Sequence, residues 1–278
     1  MNRLDTAART RVISCLLEGC SIRATVRMTE VSKKAVSRLL VDAGRVCGDY
    51  QDEVFRNLRC RRLQLDELWG FNYCKQKNVT PEIAKKVPGA GDVWLWTALD
   101  ADTKLVPSWL LGDRSLGTAC AFVDDLASRL SGRVQVTSDG LRAYVEAIEG
   151  AFGSDVDYTV LQKLYGSAGE EEERRYSPAR VRGIHLEVIK GRPDPQHIST
   201  SYVERHNWTM RTRLSNGFSR KIENHAAAVA LTYFAYNFIK IHRTLRVAPA
   251  MAAGVTDRLW EVSDIVELLQ RAESKKAA

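Results

Sequence analysis

The sequence predicts an α/β protein, a mixed sheet with flanking helices, preceded by an all-α helix-turn-helix module. Three observations carry this. Residues 6–44 hold apolar residues at helical spacing, bounded by serine caps and glycines. "RLQLDELW" and "VWLWTALDADTKLVPSWLL" are strand-like, the second turned at "DADTK". From residue 115 on, helical and strand patterns alternate, which is the signature of a mixed α/β domain.

The first helix, "TAARTRVISCLLEG", lines up Val12, Ile13, Leu16 and Leu17 and stops at Gly19. Ser21 caps the second, with Ile22 and Val26 inward. After a turn through Val31, Ser32 caps a third, whose Val36, Leu39, Leu40 and Ala43 face inward and which Gly44 ends. Its other face carries Lys33, Lys34, Ser37 and Arg38. Helix, short turn and a helix with a basic exposed face make the layout whose second helix enters the DNA major groove. A plain three-helix packing unit would have the same core. The module spans residues 1–48, and 49–62 is a linker or connecting helix ending in the basic run "RNLRCRR".

A second domain is expected over 63–248. A strand, "RRLQLDELWGFNYCK", leads into the hairpin of residues 92–112. Then come a helix at 115–130 with Ala119, Phe122, Val123, Leu126 and Leu130 at helical spacing, the strand "RVQVTSDG", the helix "LRAYVEAIEGAFG" and the strand "VDYTVLQKLYG". Residues 155–198 form a loop-rich insertion, with the charge run "GEEEERRYSPARVRG" and the prolines of "KGRPDPQH". It is a solvent-facing loop or a DNA-contacting lid. A helix from Ser201 and a second over 223–242, with Ala230, Tyr233, Phe234 and Phe238 on one side, then pack on the sheet. After Pro249, residues 256–272 give a C-terminal amphipathic helix within 249–278.

The net charge of +7 is unevenly spread. Residues 1–64 carry 13 Lys/Arg against 7 Asp/Glu, residues 65–198 carry 16 against 20, and residues 199–246 carry 8 against 2. Two basic blocks around an acidic middle suit a polyanion, double-stranded DNA, or else a solvated surface. No run approaches the ~20 apolar residues of a membrane span, and the polar start "MNRLDTAARTR" is no signal peptide, so a cytoplasmic, nucleoid-associated protein is expected. The six cysteines form no C-x-x-C pair, which points to reduced thiols and not to zinc.

Three acids stand out. Asp66 interrupts an apolar strand, and Asp139 closes another, where sites assemble in open sheets. Glu204 sits in "SYVERHNWTMRTRLS", on one helical face with Trp208, Arg211 and Ser215. Two have ordinary explanations, Asp139 as a turn residue and Glu204 as a complement to the helix dipole; Asp66 within an apolar strand is harder to dismiss, since an unpaired buried acid is costly. If they converge, their repulsion calls for a cation, and hard oxygen ligands favour Mg²⁺ or Mn²⁺, as two ions in phosphodiester chemistry. Arg205, Arg211 and Arg213 would then hold phosphates, and Trp208 would pack on a base or on the sheet. His206 is expected at the surface or in a hydrogen bond. Trp94 and Trp96 are expected in sheet packing.

"DELWGF" at 66–71, "TSDGLRAY" at 137–144 and "YVERHNWTMRTRLSNGFSRKIENH" at 202–225 resemble the three catalytic blocks of bacterial insertion-sequence transposases of the DDE type, in particular the family of the first-numbered insertion sequence. The third block is the most specific. The resemblance covers most of residues 60–245 and implies a ribonuclease-H-like catalytic domain in which Asp66, Asp139 and Glu204 bind two divalent ions. It further implies hydrolysis at element ends, then attack of the freed 3′-hydroxyl on target DNA, by a homodimer or higher homo-oligomer. The interval from Asp139 to Glu204 is longer than in compact members, and the N-terminal cysteine motif of some relatives is not evident. A related metal-dependent nuclease or resolvase, or a catalytically silent DNA-binding regulator, are the alternatives.

Overall fold

Side-chain caps set the N-terminal helices. Asp5 accepts from the Ala8 N–H, Ser21 from Ala24 and Ser32 from Ala35. The computed structural model describes residues 4–165, 181–213 and 221–277. In it α1 (Thr6–Leu17), α2 (Ile22–Thr29) and α3 (Lys33–Val54) follow those caps. The chain continues through β1 (Arg62–Asn72), α4 (Pro81–Lys86), β2 (Gly91–Asp100), β3 (Ser108–Gly112), α5 (Leu116–Arg129), β4 (Val134–Ser138), α6 (Ala143–Phe152), β5 (Val156–Tyr165) and β6 (Val181–Lys190). It closes with α7 (Ser201–Arg213), α8 (Ile222–Phe234), α9 (Pro249–Ala252) and α10 (Val262–Ala277).

The described strands form one mixed sheet in the order β3-β2-β1-β4-β5-β6. β1, β2 and β3 are an antiparallel meander, β4 lies parallel to β1 and β5, and β6 closes the edge antiparallel to β5. This is consistent with the ribonuclease-H-like fold that the resemblance implies. One face, with Leu65 and Trp96, buries Phe122 of α5 and Tyr144 of α6. The other, with Leu68, Leu95 and Leu99, receives Val203 and Met210 of α7 and Val229 and Tyr233 of α8.

Three expectations need correction. Gly44 does not end the third helix, and the expected linker at 49–62 begins inside α3. Gly44 is a contact glycine: a Cβ there would stand 2.3 Å from the Ala227 carbonyl oxygen of α8. Beyond the expected strand, β5, the insertion at 155–198 carries the edge strand β6, in which Ile184, Leu186 and Val188 alternate but stay exposed. Its residues 166–180, most of the charge run, lie outside the described part. The expected helix over 223–242 ends at Phe234 and gives way to a π turn, Ala235–Ile239. There Asn237 donates to the Gln51 side chain and the Val106 carbonyl and accepts from the Val106 N–H. That buried amide ties α3 and the β2–β3 connection to one point.

The N-terminal helices share their core with the sheet. A continuous apolar cluster runs from Ile13 and Val36 through Phe55 and Leu63 to Phe234 and Ile265. Arg9 of α1 forks onto Glu273 of α10 with contacts of 3.1 and 3.2 Å.

The α3–α8 crossing gives a paired expectation. Gly44→Ala should destabilise the fold by about 1–3 kcal/mol, because overpacking against backbone outweighs the gain of up to about 1 kcal/mol from replacing a helical glycine. At Gly48 an added Cβ would meet the Ala230 Cβ at 3.9 Å, an ordinary contact. Gly48→Ala should therefore stabilise by roughly 0.5–1 kcal/mol. Urea midpoints check both, and equal shifts would refute the close crossing.

Candidate active site

The parallel register of β1 and β4 pairs Leu65 with Ser138, where β4 ends. The next residues on each strand, Asp66 and Asp139, therefore stand side by side where β4 leaves the sheet. Strand alternation turns Asp66 to the α7 face, opposite Thr97, and its neighbour Glu67 to the other face, opposite Trp96.

Two further polar side chains on this face fix α7 to β1. Gln64, one strand period before Asp66 and buried, accepts from the N–H groups of Tyr202 (2.9 Å) and Val203 (3.0 Å). Those are otherwise orphan donors of the first turn of the helix. Asn207 Nδ2 donates to Asp66 Oδ2 at 2.8 Å. Between these anchors, Glu204 accepts from Thr200 Oγ1 at 2.6 Å and is paired through both oxygens with Lys163 of β5. Asp66, Asp139 and Glu204 consequently line one cleft of about 590 Å³, with Glu67, Lys163, Asn207, Trp208 and Arg211.

The acids disturb one another. Burial, then the charge of Asp139, push Asp66 up to about 6, although Asn207 and the Glu67 N–H pull the other way. Glu67 is pushed up to about 7, again by burial first and Asp139 second. Its Oε1 and the nearby Tyr144 hydroxyl are buried without a hydrogen bond. Arg114 contacts Glu67 Oε2 at 3.1 Å and Asp139 Oδ2 at 3.9 Å, and its guanidinium lies 4.7 Å from the Trp94 ring centre. Asp139 Oδ1 accepts from the Leu141 N–H at 3.0 Å, so one oxygen closes a turn while the other faces Arg114.

The donor chemistry fits an oxygen-seeking divalent ion: carboxylates held against their own repulsion, and the Asn207 Oδ1 buried beside Asp66 without a partner. Among the described residues no three His, Cys, Asp or Glu stand together as a ready metal-holding group. The countercharge of Glu204 here is the Lys163 ammonium.

No family model and no curated sequence matches the chain. Among solved structures it is similar to a piggyBac transposase, seen by cryo-electron microscopy in a synaptic complex with hairpin DNA. The TM-score is 0.45 at 9% sequence identity, covering 95% of this chain and 69% of that one.

The remaining expected residues divide. Trp208 and Arg211 line the cleft, and Trp208 is too exposed to be packed on the sheet. Arg205 lines a separate cavity of about 440 Å³ beside α7, with its guanidinium 4.5 Å from the ring centre of Trp208. The Arg213 side chain and Ser215 lie outside the described part. Lys33, Lys34 and Arg38 are exposed at the start of α3 and Ser37 is half-buried; none of the four lines the cleft. His206 departs from expectation, being buried with neither ring nitrogen hydrogen-bonded. Gln64, Glu67, Arg114, Lys163 and Asn207 were not singled out from the sequence. Gln64 and Lys163 did leave a signal, each a polar residue inside an otherwise apolar strand.

Proposed function

We propose that the chain is a DNA transposase of the DDE type, of bacterial insertion-sequence kind, acting on element ends and target DNA as a homodimer or larger homo-oligomer in the cytoplasm. One observation carries this: three carboxylates 73 and 65 residues apart in sequence line a single cleft with a basic helix on its wall. Among the described residues no helix is long and apolar enough to cross a membrane.

Asp66, Asp139 and Glu204 would hold the divalent ions, Mg²⁺ or Mn²⁺. Such ions activate an attacking oxygen and stabilise the leaving one at phosphorus. The chain's own groups do the positioning. Gln64 and Asn207 hold α7 against β1, Arg114 steadies Asp139 from behind, and Arg211 and Lys163 offer positive charge to a phosphodiester in the cleft. Lys163 must release Glu204 for the full acidic set to form. A catalytically silent DNA-binding regulator would carry the same Lys163–Glu204 pair, which makes it the second reading.

The test is incubation of the full chain with Mg²⁺ and a labelled fragment from the DNA flanking its gene. Nicking at the end followed by joined products supports the transposase. Nicking without joining leaves a nuclease or resolvase, and binding without nicking leaves the regulator.

For the N-terminal helices, Lys34→Ala or Arg38→Ala should weaken end binding. Each lost phosphate contact should make the dependence of log affinity on log salt shallower by about 0.9. An unchanged slope removes α3 from the interface.

A further inference from the structure

The two edges of the sheet are unlike. At one, β3 keeps all of its residues buried or half-buried. At the other, Val181, Ile184, Leu186 and Val188 of β6 are between 47% and 58% exposed. Among the described residues no strand pairs with the outer side of β6, so unpaired backbone donors and acceptors lie beside those apolar side chains. The ladder to β5 is regular from Gly183 to Val188, and that stretch holds no proline or lysine to discourage another strand.

The same ladder assigns the faces. Ile184, Leu186 and Val188 stand opposite Lys163, Leu161 and Thr159 of β5, on the side of α7, because Lys163 there reaches Glu204. His185 and Glu187 stand opposite Gln162 and Val160, on the side of α5 and α6.

We propose that β6 pairs antiparallel with β6 of a second copy of this chain, about a two-fold axis through Leu186. Such an axis stands perpendicular to the sheet and keeps each face continuous, so odd residues meet odd and even meet even. Leu186 then meets its own copy, Ile184 meets Val188 twice, and His185 meets Glu187 twice. One face of the seam is wholly apolar, and the other joins imidazoles to carboxylates. Moving the axis by one residue sets Glu187 against Gly183 or against itself. Arg182 and Lys190 would approach only beyond the regular stretch, where Lys190 has Glu149 at 3.6 Å. A strand of another protein would also satisfy the backbone, but this self-complementary order of side chains selects a second copy. The carboxylate cleft begins at β5, one strand in, so both clefts would open on the same face on either side of the seam. For that use of the dimer the proposal rests on the transposase reading; the pairing itself does not.

Sedimentation equilibrium of the full chain without DNA tests it. Reversible dimers at micromolar concentration are expected. Leu186→Lys, at an exposed position, leaves the fold intact and sets two ammonium groups together at the axis, which should weaken dimerisation about a hundredfold or more. His185→Glu sets like charges against Glu187 of the second copy and should weaken it about tenfold, and adding Glu187→Lys to the same chain should restore it. A chain that stays monomeric overturns the proposal. So does a dimer that Leu186→Lys leaves intact, or a double variant that associates no more tightly than His185→Glu. Asp66→Asn should leave the equilibrium unchanged. Dimers that never cut DNA count against the transposase reading alone, and DNA cutting by a chain that stays monomeric counts against this pairing alone.

Discussion

Asp66→Asn should cut metal-dependent DNA cleavage by roughly a thousandfold or more, the scale seen when one member of a cooperating catalytic set is removed. The same change should raise stability at neutral pH. The carboxyl of Asp66 is pushed up to about 6 by burial and by Asp139. A group whose pKa is higher in the folded state favours folding while it is protonated, and this contribution is lost as pH rises from its ordinary value through 6. At pH 8 the ionised Asp66 is therefore a liability that asparagine removes, with the same shape and with a side-chain oxygen still able to accept from Asn207. The side chain is partly exposed, so the gain is about 1–2 kcal/mol after solvent screening. Nicking assays with thermal melts at pH 5 and pH 8 check the pair of effects. An acid kept for structure alone would give the reverse, with activity retained and stability lost.

That pairing bears on what could be read from sequence. Strand alternation and helical spacing are local, so the meander, α5, β4, α6 and β5 emerge with nearly the boundaries expected. Asp66 and Asp139 were legible because an acid at the end of an apolar run conflicts with its surroundings, and such conflicts concentrate at sites. The meaning of Gly44 was not legible. A glycine in a helical pattern signals a stop unless another helix approaches it, and that helix, α8, is contributed by residues far along the chain. β6 was hidden for a different reason: its apolar alternation is exposed at a sheet edge and interleaved with charge, so no burial pattern marks it.

Within the site, sequence spacing placed Glu204, Trp208 and Arg211 on one face of α7, and all three do line the cleft. The partners that set the geometry are tertiary. Gln64 reaches α7 across 138 residues, and Lys163 reaches Glu204 across 41. Arg205 stands between the two sides of α7: it lines the second cavity, yet its guanidinium lies 4.5 Å from the ring centre of Trp208, which lines the cleft. The basic helix thus serves two cavities, and its charge cannot be assigned to DNA as a block.

Glu67→Gln should stabilise the protein at pH 8 by about 3 kcal/mol, the scale set by a buried carboxyl raised from the ordinary glutamate range to about 7. Burial and the Asp139 charge push Glu67 up to about 7, and Arg114 only partly offsets them. The direction follows as for Asp66. Below the ordinary glutamate value, both proteins carry a neutral side chain at this position and should be equally stable. As pH rises from that value to about 7, the unfolded chain gives up its proton while the carboxyl beside Trp96 and Tyr144 keeps it, so the wild type loses stability and the two curves separate, to run parallel above 7. Glutamine keeps an acceptor for Arg114 and nearly the same volume, so the change isolates charge from packing. Cleavage should fall much less than in Asp66→Asn, because Glu67 acts on Asp139 through Arg114 and is turned to the opposite face of the sheet. Denaturant melts of both proteins from pH 4 to 8 decide the matter. Curves that stay parallel throughout would mean that Glu67 ionises as readily in the fold as in the unfolded chain, and that burial and Asp139 do not raise its carboxyl.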